Sequence, residues 1–77
     1  MKVIIIDDED RARKSLKDLL HLSGFETDLA GEAASVHAGL KVIEEQKPDL
    51  LLLDINLPDG TGFDLLKLIP KISFKII

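Results

Sequence analysis

Two apolar runs, Val3 to Ile6 and Leu50 to Leu53, contain no polar residue, and each ends on carboxylates: Asp7 and Asp8 after the first, Asp54 after the second. A strand with one face in water alternates apolar and polar side chains at a period of two. Neither run does. Unbroken β-branched or leucine runs of this length belong to strands covered on both faces, the situation of a parallel sheet between layers of helix. Parallel strands also need long crossovers, usually helices, to join them.

The intervening sequence supplies those crossovers. From Arg11 to Ser23, the positions Ala12, Leu16, Leu19 and Leu20 form one helical stripe, with Arg13, Lys14, Lys17 and Asp18 left for water. Gly24 provides a left-handed stop and Phe25 the apolar contact that often follows one. Phe25 to Ala30 reads as a weaker edge strand. Between Glu32 and Gln46, Ala33, Val36, Leu40 and Ile43 return to helical spacing, although Gly39 weakens the helix by about 1 kcal/mol. Lys47-Pro48 closes it. Pro58-Asp59-Gly60 has turn chemistry, and Thr61 with Asp64 has the spacing of a capping box, opening a helix through Phe63, Leu65, Leu66 and Ile69 that Pro70 ends. Ser73 to Ile77 begins another β-like run. The order β-α-β-α-β-α-β over residues 1–77 predicts one α/β domain, a doubly wound parallel sheet with right-handed crossovers. A chain of 77 residues buries only about 60 to 65% of its unfolded surface, so its core is small.

Charge and composition exclude several classes. Ten basic residues against fourteen acidic ones, a net charge of -4, argue against a nucleic-acid surface. Without cysteine there is no disulfide framework, thiol nucleophile or thiolate metal site. No stretch approaches the roughly 20 apolar residues of a membrane span, and Asp7 interrupts the first run too early for a signal peptide. A cytoplasmic protein without a membrane contact is the expectation.

Doubly wound sheets bind ligands at the carboxyl ends of their strands, where the strand order reverses. Asp7, Asp8 and Asp54 fall at those ends, on the two strands expected to be central and adjacent. Carboxylates converging there repel by about 4 kcal/mol per pair at about 4 Å and an effective dielectric near 20. A hard divalent cation offsets this, and Mg²⁺ in particular is held by one or two carboxylates plus waters and substrate phosphate. Glu9 and Asp10 suit the first turn of the helix that follows, where negative charge is favourable. Gly60 and Gly62 lack the Gly-Lys-Ser/Thr of a P-loop and read as turn residues. His21 and His37 read as surface positions.

Asp7-Asp8-Glu9 after the first strand, Asp54 after the third, and the Pro58-Asp59-Gly60-x-Gly62 turn resemble the receiver domain of bacterial two-component response regulators, over the whole chain. The resemblance implies a flavodoxin-like fold with strand order 2-1-3-4-5. It implies Asp54 as acceptor of a phosphoryl group from a sensor histidine kinase. It also implies Mg²⁺ held by Asp7, Asp8, Asp54 and the backbone carbonyl of Asn56, and a kinase docking near the first helix. The stretches "GEAASV", "PDGTGFDLL" and "KISFKII" are further similar to receivers with a LytTR-type output domain, through which alone DNA and transcription would enter. Receivers also carry a hydroxyl residue after the fourth strand and a lysine after the fifth, neither of which falls within these residues. The sequence is therefore expected to be a receiver incomplete at its C-terminal side, which in isolation either self-associates through its last strand or remains poorly folded. Two other readings stand beside it. A haloacid-dehalogenase-like phosphatase also carries an Asp after a buried strand, but Asn56 occupies the place of its second acid. A flavodoxin-like scaffold without chemistry is the other.

Overall fold

The computed structural model describes residues 1–77. Its elements are β1 (Lys2–Ile6), α1 (Asp10–Leu22), β2 (Asp28–Ala33), α2 (Val36–Gln46), β3 (Leu50–Leu53), β4 (Asn56–Leu57), β5 (Gly60–Thr61), α3 (Gly62–Lys67) and β6 (Lys75–Ile76). Four strands form one parallel sheet in the order β2-β1-β3-β6, which is the doubly wound arrangement expected. β1 and β3 are its inner pair, aligned from Val3 opposite Leu50 to Ile6 opposite Leu53.

The two unbroken runs do become the inner strands, with the unequal burial that neighbouring elements dictate. Val3, Ile4, Ile5 and Ile6 are all fully buried, whereas in β3 only Leu51 is. Successive side chains point to opposite faces. Ile4, Ile6 and Leu51 enter one cluster with Ala33, Val36, Ile43, Leu57 and Leu65, against which Leu53 packs, between the sheet and α2 with α3. Leu50 and Leu52 point the other way, toward α1, and stay half-buried. There an apolar groove of about 500 Å³ runs between the helix and the sheet, lined by Leu16, Leu19, Leu20, Leu50, Leu52 and Ile77 among others. The stripe on α1 faces the sheet, but no residue of α1 is buried.

Several boundaries differ from the sequence expectation, those of β2, α2 and α3 for local reasons. The second strand runs from Asp28 to Ala33 instead of Phe25 to Ala30. Ser23 Oγ accepts the Phe25 N–H at 3.2 Å and Gly24 takes φ +79°, so these residues are spent on the turn, and Phe25 stays 76% exposed instead of covering the helix end. Pairing starts where Asp28 N–H reaches the Met1 carbonyl at 2.8 Å. α2 begins at Val36, not Glu32, because Ser35 is its N-cap and accepts the Ala38 N–H at 3.1 Å. α3 stops at Lys67: Leu68 and Ile69 form tighter bonds to Leu65 and Leu66, as residues approaching Pro70 tend to do. The Pro58-Asp59 turn is flanked by a two-stranded antiparallel ribbon, β4 with β5, that the β-α-β-α-β-α-β order omitted. The last strand pairs only at Lys75 and Ile76.

Candidate functional site

Hydrogen bonds of the sheet continue one residue past each inner strand and fix the main chain of two acids. Asp7 N–H donates to the Ala33 carbonyl at 3.0 Å, and Asp54 N–H donates to the Ile6 carbonyl at 2.9 Å. The main chains of Asp7 and Asp54 are thus held by the hydrogen-bond ladder of the sheet. Asp7 Oδ1 accepts the Glu9 N–H at 2.9 Å, an Asx turn that leads from β1 into α1. Asp7 and Asp54 are half-buried and Asp8 is exposed. One carboxylate oxygen from each of Asp7, Asp8 and Asp54 lies within 4.8 Å of the others. Asn56, the fourth residue named from sequence, is the exposed first residue of β4, two positions beyond Asp54 on the same loop.

The donor set suits a hard cation. Three carboxylates offer only oxygen, and an octahedral Mg²⁺ spans about 4 Å between opposite ligands, so small adjustments of these side chains would close the gap. No cation reaches these carboxylate oxygens from the protein itself, which leaves their mutual repulsion for a bound ion to offset. Beside them a hollow of about 270 Å³, lined by Asp7 and Asp54 with Ile6, Leu16, Leu53 and Ile77, provides access from solvent.

The loop after Asp54 is held on all sides. Gly62 N–H donates to the Ile55 carbonyl at 2.8 Å, and a Cβ on Gly62 would stand 2.7 Å from the Asp54 carbonyl oxygen, so only glycine allows α3 to start so close to this acid. Gly60 takes φ +155°, a conformation that side chains resist. The expected capping box is present: Thr61 Oγ1 accepts Asp64 N–H at 3.1 Å, and Asp64 Oδ2 accepts Thr61 N–H at 2.9 Å. The Asp64 carboxyl is held below its ordinary range, first by the bond it accepts from the Thr61 N–H and second by the Thr61 hydroxyl beside it. Asp59 does more than turn the chain. Its carboxylate accepts Val36 N–H at 2.7 Å and His37 N–H at 3.0 Å, tying this loop to the first turn of α2 and lowering its own pKa, chiefly through the Val36 bond.

Sequence reasoning missed that role of Asp59, and it misplaced Arg13. The arginine is not on a solvated face: its side chain is 16% exposed and its Nη1 donates to the Asp7 carbonyl at 2.5 Å. Asp10 lies in the first turn of α1 as expected, paired with Arg13, while Glu9 is the N-cap without a capping side-chain bond. His21 and His37 are both exposed, in keeping with their reading as surface residues.

A family model for the response regulator receiver domain matches residues 3–77. This chain belongs to that family. An uncharacterized response regulatory protein of Vibrio vulnificus is 47% identical over 66 residues, which are 86% of this chain and 27% of that protein. Sensory transduction protein LytT of Bacillus anthracis is 39% identical over 73 residues, 95% of this chain and 29% of that protein. The chain therefore spans less than a third of these relatives' length. Among solved structures, the response regulator domain of Thermotoga maritima CheB superimposes with a TM-score of 0.88 at 30% identity, covering 99% of this chain and 57% of that one. Receiver membership supports a phosphoacceptor function and a flavodoxin-like sheet, and it favours neither the phosphatase nor the inert scaffold. No helix is long and apolar enough to cross a membrane.

Proposed function

We propose that Asp54 accepts a phosphoryl group from the phosphohistidine of a sensor histidine kinase, that the reaction depends on Mg²⁺, and that it switches an output. By similarity to a DNA-binding transcriptional activator of Mycobacterium tuberculosis, 40% identical over 65 residues, that output is a transcriptional one acting on DNA through a separate domain. The carrying observation is the convergence of Asp7, Asp8 and Asp54 within 4.8 Å at the ends of two adjacent parallel strands. A carboxylate oxygen of Asp54 attacks phosphorus. The phosphorus–nitrogen bond of the donor breaks, its electron pair stays on the imidazole, and Asp54 carries an acyl phosphate. Asp54 is an acceptor here, not a catalyst of turnover. Asp7, Asp8, Asp54 and the Asn56 carbonyl would hold Mg²⁺, which supplies charge compensation to the phosphoryl oxygens in this class of transfer. The protein's contribution is position: the sheet fixes the Asp7 and Asp54 main chains, and the Gly62 contact fixes the exit of the loop. A cytoplasmic setting follows from the donor.

Beryllium fluoride with Mg²⁺ mimics the acyl phosphate and is the practical probe. Wild type is expected to bind it, Asp54→Ala to lose it, and Asp8→Asn to weaken Mg²⁺ binding measured by calorimetry. Equal beryllium fluoride binding by wild type and Asp54→Ala overturns the assignment.

A further inference from the structure

Among the basic side chains, Arg13 alone hydrogen-bonds to a residue of the acidic cluster, and it does so at the main chain. Its guanidinium touches three elements at once. Nη1 donates to the Asp7 carbonyl at 2.5 Å, Nη2 pairs with the Asp10 carboxylate in the first turn of α1, and Nε lies 3.3 Å from Glu32 Oε1 on β2. Glu32 is itself engaged from the other side by Lys17 Nζ at 3.1 Å. A planar fork with five N–H donors makes such a three-way contact; an ammonium, a point charge on a flexible stem, does not.

The carbonyl that Arg13 grips belongs to the peptide joining Asp7 to Asp8. Fixing that oxygen fixes the peptide plane, and with it the direction in which the Asp8 Cα leaves the end of β1. Asp7 is otherwise secured by Ala33 and by Glu9 N–H, but no hydrogen bond within the protein holds the Asp8 side chain. We infer that Arg13 is a positioning residue for the divalent cation, holding the Asp7–Asp8 peptide so that both carboxylates face Asp54. The inference rests on the reading of this cluster as a Mg²⁺ site.

Electrostatics and positioning predict opposite signs. Arg13 is a positive charge beside a cation site, so by Coulomb interaction alone its removal strengthens Mg²⁺ binding. Positioning requires the reverse, and second-layer partners of this kind typically contribute about 10-fold or more in metal affinity. The test is Mg²⁺ titration by calorimetry on the full protein, with thermal melts of the metal-free forms alongside. Arg13→Lys, which keeps the charge and loses the fork, is expected to weaken Mg²⁺ binding about 10-fold at an unchanged melting temperature. Arg13→Gln is expected to weaken it at least as much. Lys17→Gln, which removes the other cation on Glu32 without touching Asp7, is expected to leave affinity unchanged or slightly raised. Wild-type affinity in Arg13→Lys, or tighter binding in Arg13→Gln, overturns the positioning role while leaving the metal site standing. Absence of Mg²⁺ binding by the wild type overturns the site and the inference together.

Discussion

The two faces of the sheet share β1 but are filled unequally. On the side of α2 and α3, Ile4, Ile6 and Leu51 meet Val36, Ile43, Leu57 and Leu65, each at most 9% exposed. On the side of α1, Val3 and Ile5 are fully buried, yet the helix above them buries nothing of its own: Leu19 is 63% and Leu22 78% exposed. The difference teaches where the stability of this domain resides. The closed face carries the core and anchors the loop after Asp54; the open face carries Arg13, which reaches the acids along the edge of the sheet through ion pairs and one main-chain bond.

Truncation at matched leucines separates the faces most strongly. Leu65→Ala is expected to cost about 2 to 5 kcal/mol in denaturant unfolding, as for other fully buried leucines, against less than about 0.5 kcal/mol for Leu19→Ala. Similar costs for the two would erase the distinction. The next effect concerns association. Exposed apolar surface contributes about 25 cal/mol per Å² when another surface covers it. The 77-residue chain is therefore expected to show a light-scattering mass that rises with concentration, and Leu19→Glu or Phe25→Glu to bring it toward the monomer; a wild-type monomer throughout would show the groove to be inert. The smallest effect is pH dependence on the closed face. Asp59 and Asp64 titrate below their ordinary value of 3.8, so each favours the fold when ionised. That contribution is present above pH 3.8 and is lost as pH falls through the lowered folded values. Asp59→Asn and Asp64→Asn should flatten the acid limb of the stability curve; an acid limb as steep as the wild type's in both variants would remove these two carboxylates from it.

The inner strands and the acids that follow them were legible because a strand covered on both faces has an unmistakable pattern, and the carboxyl end of such a strand is where ligands go. Thr61 and Asp64 were legible because a capping box is local, three residues wide. The start of β2 was not, since the β propensity of Phe25 and Thr27 lost to the turn at Ser23-Gly24. The start of α2 was set by the Ser35 cap, which the helical spacing of Ala33 and Val36 concealed. Arg13 and Asp59 were hidden for a different reason. Asp59 reaches a main-chain amide 23 residues away and Arg13 a side chain on another strand, and no spacing in the sequence reports such contacts.

The Asp59 contact gears two distant parts of the chain together. Because one carboxylate closes over both the Val36 and the His37 amides, a step of the segment that follows Asp54 away from α2 would strip that helix of two of its terminal hydrogen bonds at once. Loop and helix therefore behave as meshed parts of one drive train. A displacement that starts beside Asp54 would be felt on the closed face of the sheet, as a change in how firmly α2 is wound at its first turn.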